Sequence, residues 1–440
     1  MKILIASTPA TGHLNPLLAI ARILIAEGHE VIGLSGSIMR DRIEGIGVPF
    51  RPFPEGADHD LRDVDAAFPE RKGIPAGPLQ VRFDIEHVFV DPMPAQHEGL
   101  RQVLREFPAD IVITDNLLFG TFPMLLGPRS ERPPIIFLGS SVLVWHRDDG
   151  APALTGFAPA QNDAEREKYA AISKEVDAIA FEPATRHLNR RLSSVGSPSL
   201  SMALFDAVVD LPDAYLQLTV QSFEFPRRDL PPSVHFVGAP SIVPNQAPLP
   251  SWAHELDGSR KVVLVTQGTV ANFNFGQLVA PTLAALANEP DVLVVVTAGG
   301  RPVDAIAGPI PANARVASYL PFEWALAKAD VFVTNGGYGS VNQALSFGVP
   351  LVTAGISEDK AAVNARVSWS GVGIDLKTNE PTPSALREAI RAVLDEPNFR
   401  ARASSLGKEF AAIDTRSEIL RILTEVSHLP ADRDAPVYAK

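Results

Sequence analysis

The chain is predicted to fold as two α/β domains, each built around a parallel, doubly wound sheet. Three observations lead there. Short runs of apolar and β-branched residues, suited to strands buried on both faces, alternate with helical patterns along most of the sequence. At 440 residues the chain exceeds what a single core supports. A proline-rich, weakly periodic stretch, GAPSIVPNQAPLPSW (Gly238 to Trp252), splits the alternation into two sets.

The first set opens with the strand KILIAS (Lys2 to Ser7) and the loop STPATGHLNP. A helix follows, with Asn15 expected as its N-cap, Pro16 in its first turn and Gly28 at its end. HEVIGLSG is the second strand; DIVITD (Asp110 to Asp115) and PIIFLGS (Pro134 to Ser140) have the same buried character. From about Ser141 to Phe225 the pattern is mostly helical until YLQLTV, as in an insertion or cap that builds a ligand pocket. The second set comprises KVVLVT, a helix around Leu278 to Asn288, then DVLVVVT, ARVAS, DVFVT, PLVT and GIDL. The expected units are therefore residues 1–237, a linker at 238–252, residues 253–414, and a C-terminal helical segment, 415–440.

Composition removes several classes of function. With 46% hydrophobic and 20% charged residues the chain is globular. A formal charge of −12 argues against wrapping nucleic acid or coating an anionic membrane. The absence of Cys excludes disulfides, thiol catalysis and Cys-ligated metal, and it agrees with the cytoplasmic location expected here. MKILIAS is a strand rather than a signal peptide, and the next apolar run is broken by Arg22 and Glu27, so no membrane insertion is expected. The histidines are scattered, with neither His-Glu-x-x-His nor Asp-x-Asp, so no metal or other cofactor is expected. No Gly-x-Gly-x-x-Gly follows Ser7, which speaks against an NAD dehydrogenase.

The most informative segment is YLPFEWALAKADVFVTNGGYGSVNQALSFGVPLVTAGISEDK, Tyr319 to Lys360. The strand DVFVT runs into Asn335-Gly336-Gly337, and Ser340 is expected to open a helix carrying Val341, Ala344, Leu345 and Phe347. Small residues feeding a helix N-terminus expose backbone N–H groups and a partial positive charge, which suits a phosphate or diphosphate. A plain tight turn is the other reading of these glycines.

Taken end to end, the segment resembles the nucleotide-sugar signature of the family-one glycosyltransferases, which include plant small-molecule and bacterial macrolide enzymes. The matching positions are Tyr319 and Pro321, the strand, Asn335, Gly336, Gly337, Gly339 and Ser340, then Gln343, Gly348-Val349-Pro350, and Asp359 with Lys360. Order and spacing hold apart from a shortening before the strand relative to the plant form. Three positions depart from the pattern. Asn335 stands for the His that contacts the diphosphate, Gln343 for the Glu that takes the ribose hydroxyls, and Lys360 for the Gln that helps hold the sugar. Asn and Gln still hydrogen-bond but carry no charge. Loss of the Glu leaves room for a deoxyribose donor such as a dTDP-sugar.

The resemblance implies the GT-B architecture: an acceptor-binding first domain, a nucleotide-sugar-binding second domain, and a last helix crossing back to the first. It also places catalytic and binding roles. His13 lies ahead of the expected helix, in a positive potential that favours the neutral ring a base needs. Asp115 ends a strand, and in a parallel sheet such ends share one edge where ligands gather. Taken alone, a loop His and a turn Asp serve equally as structural residues; the family match assigns them as base and orienting carboxylate. His29 is expected to be a solvated turn residue.

For the donor, the match implies Gly12, Thr269 beside the phosphate, Tyr319 stacking on the base, and Leu320 through its backbone. It adds Asp359 on sugar hydroxyls, where an N-cap is the other role. Thr269 can equally be a turn residue and Tyr319 a core aromatic. Lys360 has no family role and is expected as a solvated helix residue. The acceptor pocket is expected around Phe83 to Val90 and Ser141 to Phe205, with Phe83, Trp145, Phe157 and Phe205 as candidate lining.

The expected activity is inverting, metal-independent transfer of a hexose from a UDP- or dTDP-sugar to a hydroxyl of a small, largely apolar polyketide, phenolic, terpenoid or lipid acceptor. The expected partners are that donor and acceptor alone, and the sequence specifies no oligomeric state. A nucleotide-sugar epimerase of the same fold and a non-catalytic relative are the alternatives.

Overall fold

The computed structural model describes residues 1–240, 248–269 and 272–429. Part of the expected linker (241–247), Val270 and the end of the C-terminal segment (430–440) lie outside the described residues.

Two sheets form, and every neighbouring pair of strands in them is parallel. The first contains β1 (Lys2–Ala6), β2 (Glu30–Ser35), β3 (Phe50–Pro52), β4 (Ile111–Asp115), β5 (Ile135–Gly139), β6 (Ala214–Gln217) and β7 (Val234–Phe236). Its order is β3-β2-β1-β4-β5-β6-β7. The second contains β8 (Lys261–Thr266), β9 (Val292–Thr297), β10 (Ala314–Ala317), β11 (Val331–Thr334), β12 (Leu351–Thr353) and β13 (Gly373–Asp375), in the order β10-β9-β8-β11-β12-β13.

Both orders reverse at one place, between β1 and β4 in the first sheet and between β8 and β11 in the second. A doubly wound sheet opens a crevice at that switch point, outside the strand C-termini. The registers set the crevices: Ala6 pairs with Thr114 and Thr266 with Thr334. Residues just beyond these pairs therefore come together from opposite connections.

Helix α1 (Thr11–Ala26) follows β1 and corrects one expectation. It begins before Asn15, with Ala10 in the cap position, so His13 sits in its first turn and Pro16 inside it. The Pro-at-the-start rule misplaced the boundary. Pro16 lacks the N–H that would have reached the Gly12 carbonyl, but Gly12 is exposed, so that carbonyl is open to solvent. The side-chain oxygen of Asn15 accepts from Arg42 at 2.6 Å instead of capping. At the other end Gly28 adopts φ +78°, while its N–H reaches Ile25 and that of His29 reaches Leu24, a Schellman stop. The ring of His29 is half-buried beside the N-terminal amine.

Helices Asp163–Val176, Glu182–Ser194 and Leu204–Asp210 fill the connection from β5 to β6. In the second domain α2 (Tyr338–Ser346) follows β11 and α3 (Lys360–Trp369) follows β12. The last described helix, α4 (Thr415–Ser427), lies against the first domain. Ile419, Ile422, Leu423 and Val426 are buried in the core that also holds Leu24 and Val31, each such burial stabilising by about 1.5–3 kcal/mol. Thr415 donates to the Val237 carbonyl at 2.7 Å, and Arg416 pairs with Glu27.

The two domains are also joined directly. Gln217 donates to the Tyr338 hydroxyl, Thr219 donates to Asn342 at 2.5 Å, and Arg366 meets Glu224 at 2.8 Å. All six residues are buried. The guanidiniums of Arg147 and Arg366 lie 4.6 and 4.2 Å from the Phe225 ring centre, which offsets part of the cost of burying them.

Candidate active site

At the first switch point, His13 from α1 meets Asp115 from the end of β4: Nδ1 lies 2.8 Å from Oδ1. Asp115 is fully buried and also accepts the Thr8 N–H at 2.7 Å, the Leu117 N–H at 3.0 Å and the Thr8 hydroxyl at 3.2 Å. A carboxylate in this setting only accepts, so Nδ1 is the nitrogen that donates and Nε2 keeps its lone pair. The His13 side chain is 17% exposed.

Burial by itself disfavours the imidazolium. The adjacent Asp115 carboxylate, and Asp359 and Glu358 from the second domain, outweigh it and raise His13 above the ordinary histidine value. The helix N-terminus favours the neutral ring, and the contacting carboxylate pulls the other way.

Across the crevice, Asp359 occupies the N-cap position of α3, but its carboxylate makes no cap bond. It accepts instead from the Ser141 hydroxyl, 2.5 Å away, at the end of β5. Burial pushes the Asp359 carboxyl up, against the opposing pull of Lys360 and Ser141. Lys360 is not solvated as expected: it is 5% exposed and paired with Glu358, whose backbone holds φ +56°.

The second switch point is built mainly of backbone. The helix after β11 starts at Tyr338, two residues before the expected Ser340, with Gly337 as its cap residue and no side-chain cap. Its first N–H groups are therefore not satisfied by a capping side chain. Ser340 donates its hydroxyl to the Gly337 carbonyl at 2.9 Å, and Gly339 is exposed beside it. Gly336 adopts φ +94°, and a Cβ there would lie 1.9 Å from Asn364. Asn335 spends one amide hydrogen on the Gln267 carbonyl at 3.0 Å, tying this turn to the one after β8, so only the other is left for a ligand.

Thr269 is exposed in the β8 turn, beyond Gly268 at φ +75°. Tyr319 is 52% exposed and lies against Gly300, where a Cβ would come within 2.6 Å of its hydroxyl. One side of the ring is thus fixed while much of it stays open, as a stacking platform requires. Leu320 is core. Gln343 is 7% exposed on α2, and among the described residues its side-chain amide makes no hydrogen bond.

The acceptor candidates fare differently. Trp145 and Phe205 are buried, Trp145 bonding Asp229 and Phe205 packing on Phe181. Phe157 packs on Tyr169, and Phe83 lies against Phe68 and His87. Trp145 also lines a cavity together with Met202 and Asp206. The aromatic beside His13 is Phe89, 5.9 Å away between ring centres. It belongs to Asp84–Val90, a π-helical stretch whose wider turn shifts which residues share a face. Phe89 falls within the expected stretch from Phe83 to Val90. Ser141 opens the expected acceptor stretch, and its bond to Asp359 was not foreseen. Among the described residues no group of three or more His, Cys, Asp or Glu is placed to hold a metal ion, and no helix is long and apolar enough to cross a membrane.

Comparison with known proteins identifies the family. Residues 281–426 match the family described as erythromycin biosynthesis protein CIII-like, C-terminal domain. The 4'-demethylrebeccamycin synthase of Lentzea aerocolonigenes is 39% identical over 94% of this chain and 96% of its own length. The chain is a family-one glycosyltransferase. UDP-glycosyltransferase 2 of Phaeomoniella chlamydospora is 34% identical over 97% of this glycosyltransferase and 95% of the relative. The crystal structure of the glycosyltransferase VinC in complex with dTDP superposes with a TM-score of 0.68 at 21% identity, covering 97% of this chain and 99% of that one. That likeness establishes the GT-B fold.

Proposed function

We propose that this glycosyltransferase moves a hexose from a UDP- or dTDP-sugar to a hydroxyl of a small, largely apolar acceptor, with inversion at the anomeric carbon. The observation that carries the reading is the 2.8 Å His13–Asp115 pair at the first switch point, with Asp359 and Glu358 of the second domain close enough to act on it. His13 Nε2 takes the proton of the acceptor hydroxyl as its oxygen attacks the anomeric carbon. The bond from that carbon to the diphosphate breaks, and Asp115 stabilises the imidazolium.

The departing diphosphate is met by the first N–H groups of α2, by Thr269 and by the remaining Asn335 amide hydrogen, without a metal ion. Tyr319 carries the base, Gln343 faces the ribose, and Asp359 takes sugar hydroxyls in place of Ser141. Phe89 contributes to the apolar wall beside the base. The named relatives support a natural-product acceptor and a nucleoside-diphosphate donor.

The test incubates the enzyme with UDP- and dTDP-hexoses, with and without phenolic, macrolide and sterol-like acceptors, and follows nucleotide release and the anomeric configuration of any product. Acceptor-dependent release with an inverted linkage is expected. Conversion of the donor sugar without acceptor would indicate an epimerase, and no turnover with any pair would indicate a non-catalytic relative.

A further inference from the structure

Three turns at the second switch point touch one another closely. A Cβ on Gly355, after β12, would lie 2.2 Å from the Asn335 carbonyl oxygen, after β11. Asn335 in turn reaches the Gln267 carbonyl, after β8. One side chain sits beneath this contact. Asn364, in the second turn of α3, is fully buried. Its amide nitrogen donates to the Gly355 carbonyl at 2.9 Å and to the Asn335 carbonyl at 3.4 Å. Its oxygen is buried without a hydrogen-bond partner and lies against Gly336.

No other arrangement of this amide fits as well, since reversing it would set its oxygen against two carbonyl oxygens. The unpartnered oxygen is the cost of keeping both carbonyls satisfied, and such a cost tends to persist where it serves a site. Because a peptide unit is planar and trans, holding the Asn335 carbonyl toward Asn364 turns the Gly336 N–H to the opposite side, where it donates to the Thr334 hydroxyl at 3.4 Å. The same restraint fixes the path of Gly337 into α2.

We propose that Asn364 is a positioning residue for donor binding: it pins the Asn335–Gly337 turn to the Gly355 turn and so aims the N-terminal amides of α2 at the diphosphate. This rests on the reading of that turn as the donor cradle. Asn364 itself does not touch the donor. Neither glycine can be replaced while the pin is in place, since Gly336 holds φ +94° against Asn364 and Gly355 meets the Asn335 carbonyl.

The experiment measures dissociation constants for UDP and dTDP by calorimetry on the full-length enzyme, wild type, Asn364→Asp and Asn364→Ala, alongside acceptor KM and amide hydrogen exchange. Asp places an oxygen where the donating nitrogen was, and Ala removes the pin without repulsion, so the second serves if the first fails to fold. Nucleotide affinity is expected to fall about tenfold or more, as for buried carbonyls that lose their donor. Acceptor KM should be unchanged, with faster exchange confined to residues 335–338 and the 355 turn.

A variant that melts at lower temperature yet binds nucleotide like wild type would show a merely structural role and overturn the proposal. So would an equal loss in donor and acceptor binding. If wild type binds neither nucleotide, the cradle reading itself falls, and faster exchange would then mark Asn364 as a structural residue only.

Discussion

The two sheets repeat one topology, yet the same point in each presents a different kind of group. At the first switch point the connections present side chains: His13 and a buried Asp115 whose oxygens are taken up by Thr8 and Leu117. At the second they present backbone: Gly336 and Gly337, with their neighbours Asn335 and Ser340 bonded to nearby carbonyls. Moving a proton needs a group with a tuned pKa, and tuning needs burial and a charged partner. Holding a diphosphate needs several N–H groups at close range, and glycine allows that approach. A switch point is thus a place, not a chemistry.

If that division is right, the largest effect falls on the first switch point alone. His13→Ala is expected to lower turnover by about two to four decades, the usual worth of a general base, while UDP and dTDP bind as before. Turnover above about a tenth of wild type would remove His13 from the base role.

Asp115→Asn should act in the same direction and also move the pH profile. His13 must be neutral to work, and Asp115 helps hold it above the ordinary histidine value, so wild-type activity rises with pH through that raised value. Without the carboxylate the rise should shift to lower pH even as the maximum falls. The linkage to stability has the opposite sense: a raised histidine stabilises the fold at acidic pH, and that contribution is lost as pH climbs through its folded pKa. A profile that keeps its position in Asp115→Asn would mean the pair is not electrostatically coupled.

Effects at the second switch point should be milder and confined to the donor. Gln343→Glu introduces a charged acceptor worth on the order of 1 kcal/mol. The ratio of kcat/KM for UDP-glucose over dTDP-glucose is expected to rise several-fold, from a wild-type starting point at which dTDP-glucose is used at least comparably. A wild-type preference for UDP of about a hundredfold, roughly 2.7 kcal/mol, unmoved by the substitution, would detach Gln343 from the ribose. The smallest expected effect is none: EDTA should leave turnover unchanged. Loss in chelator, restored by magnesium or manganese, would show that backbone alone does not suffice for the leaving group.

Much of the fold was open to sequence reading because buried parallel strands are short, apolar and β-branched, and DVFVT or KVVLVT leaves little choice. That His13 and Asp115 share one sheet edge was readable from the strands they follow, while their roles came from the family resemblance alone. Boundaries were not readable. Pro16 suggested a helix start that the chain places before it, and Ser340 concealed a start at Tyr338, since capping rules describe preferences that tertiary contacts override. Phe89 lay within the expected acceptor stretch but was not singled out, and the burial of Lys360 was hidden by its pairing with Glu358. Asn364 has no local signature, because its function lies in two carbonyls distant in sequence.

The direct contacts between domains bear on how such enzymes can be recombined. Gln217 with Tyr338, Thr219 with Asn342 and Glu224 with Arg366 are matched pairs, one member from each half, all removed from water. A chimera cut near the proline-rich stretch would keep both halves intact yet set each partner opposite a foreign residue. A buried Arg366 left without its carboxylate is costly, on the order of 3–5 kcal/mol, a large share of the margin that keeps a domain folded. The exchangeable module is therefore larger than a half-chain: it is a half-chain together with the residues of the other half, these three among them, that complete its seam.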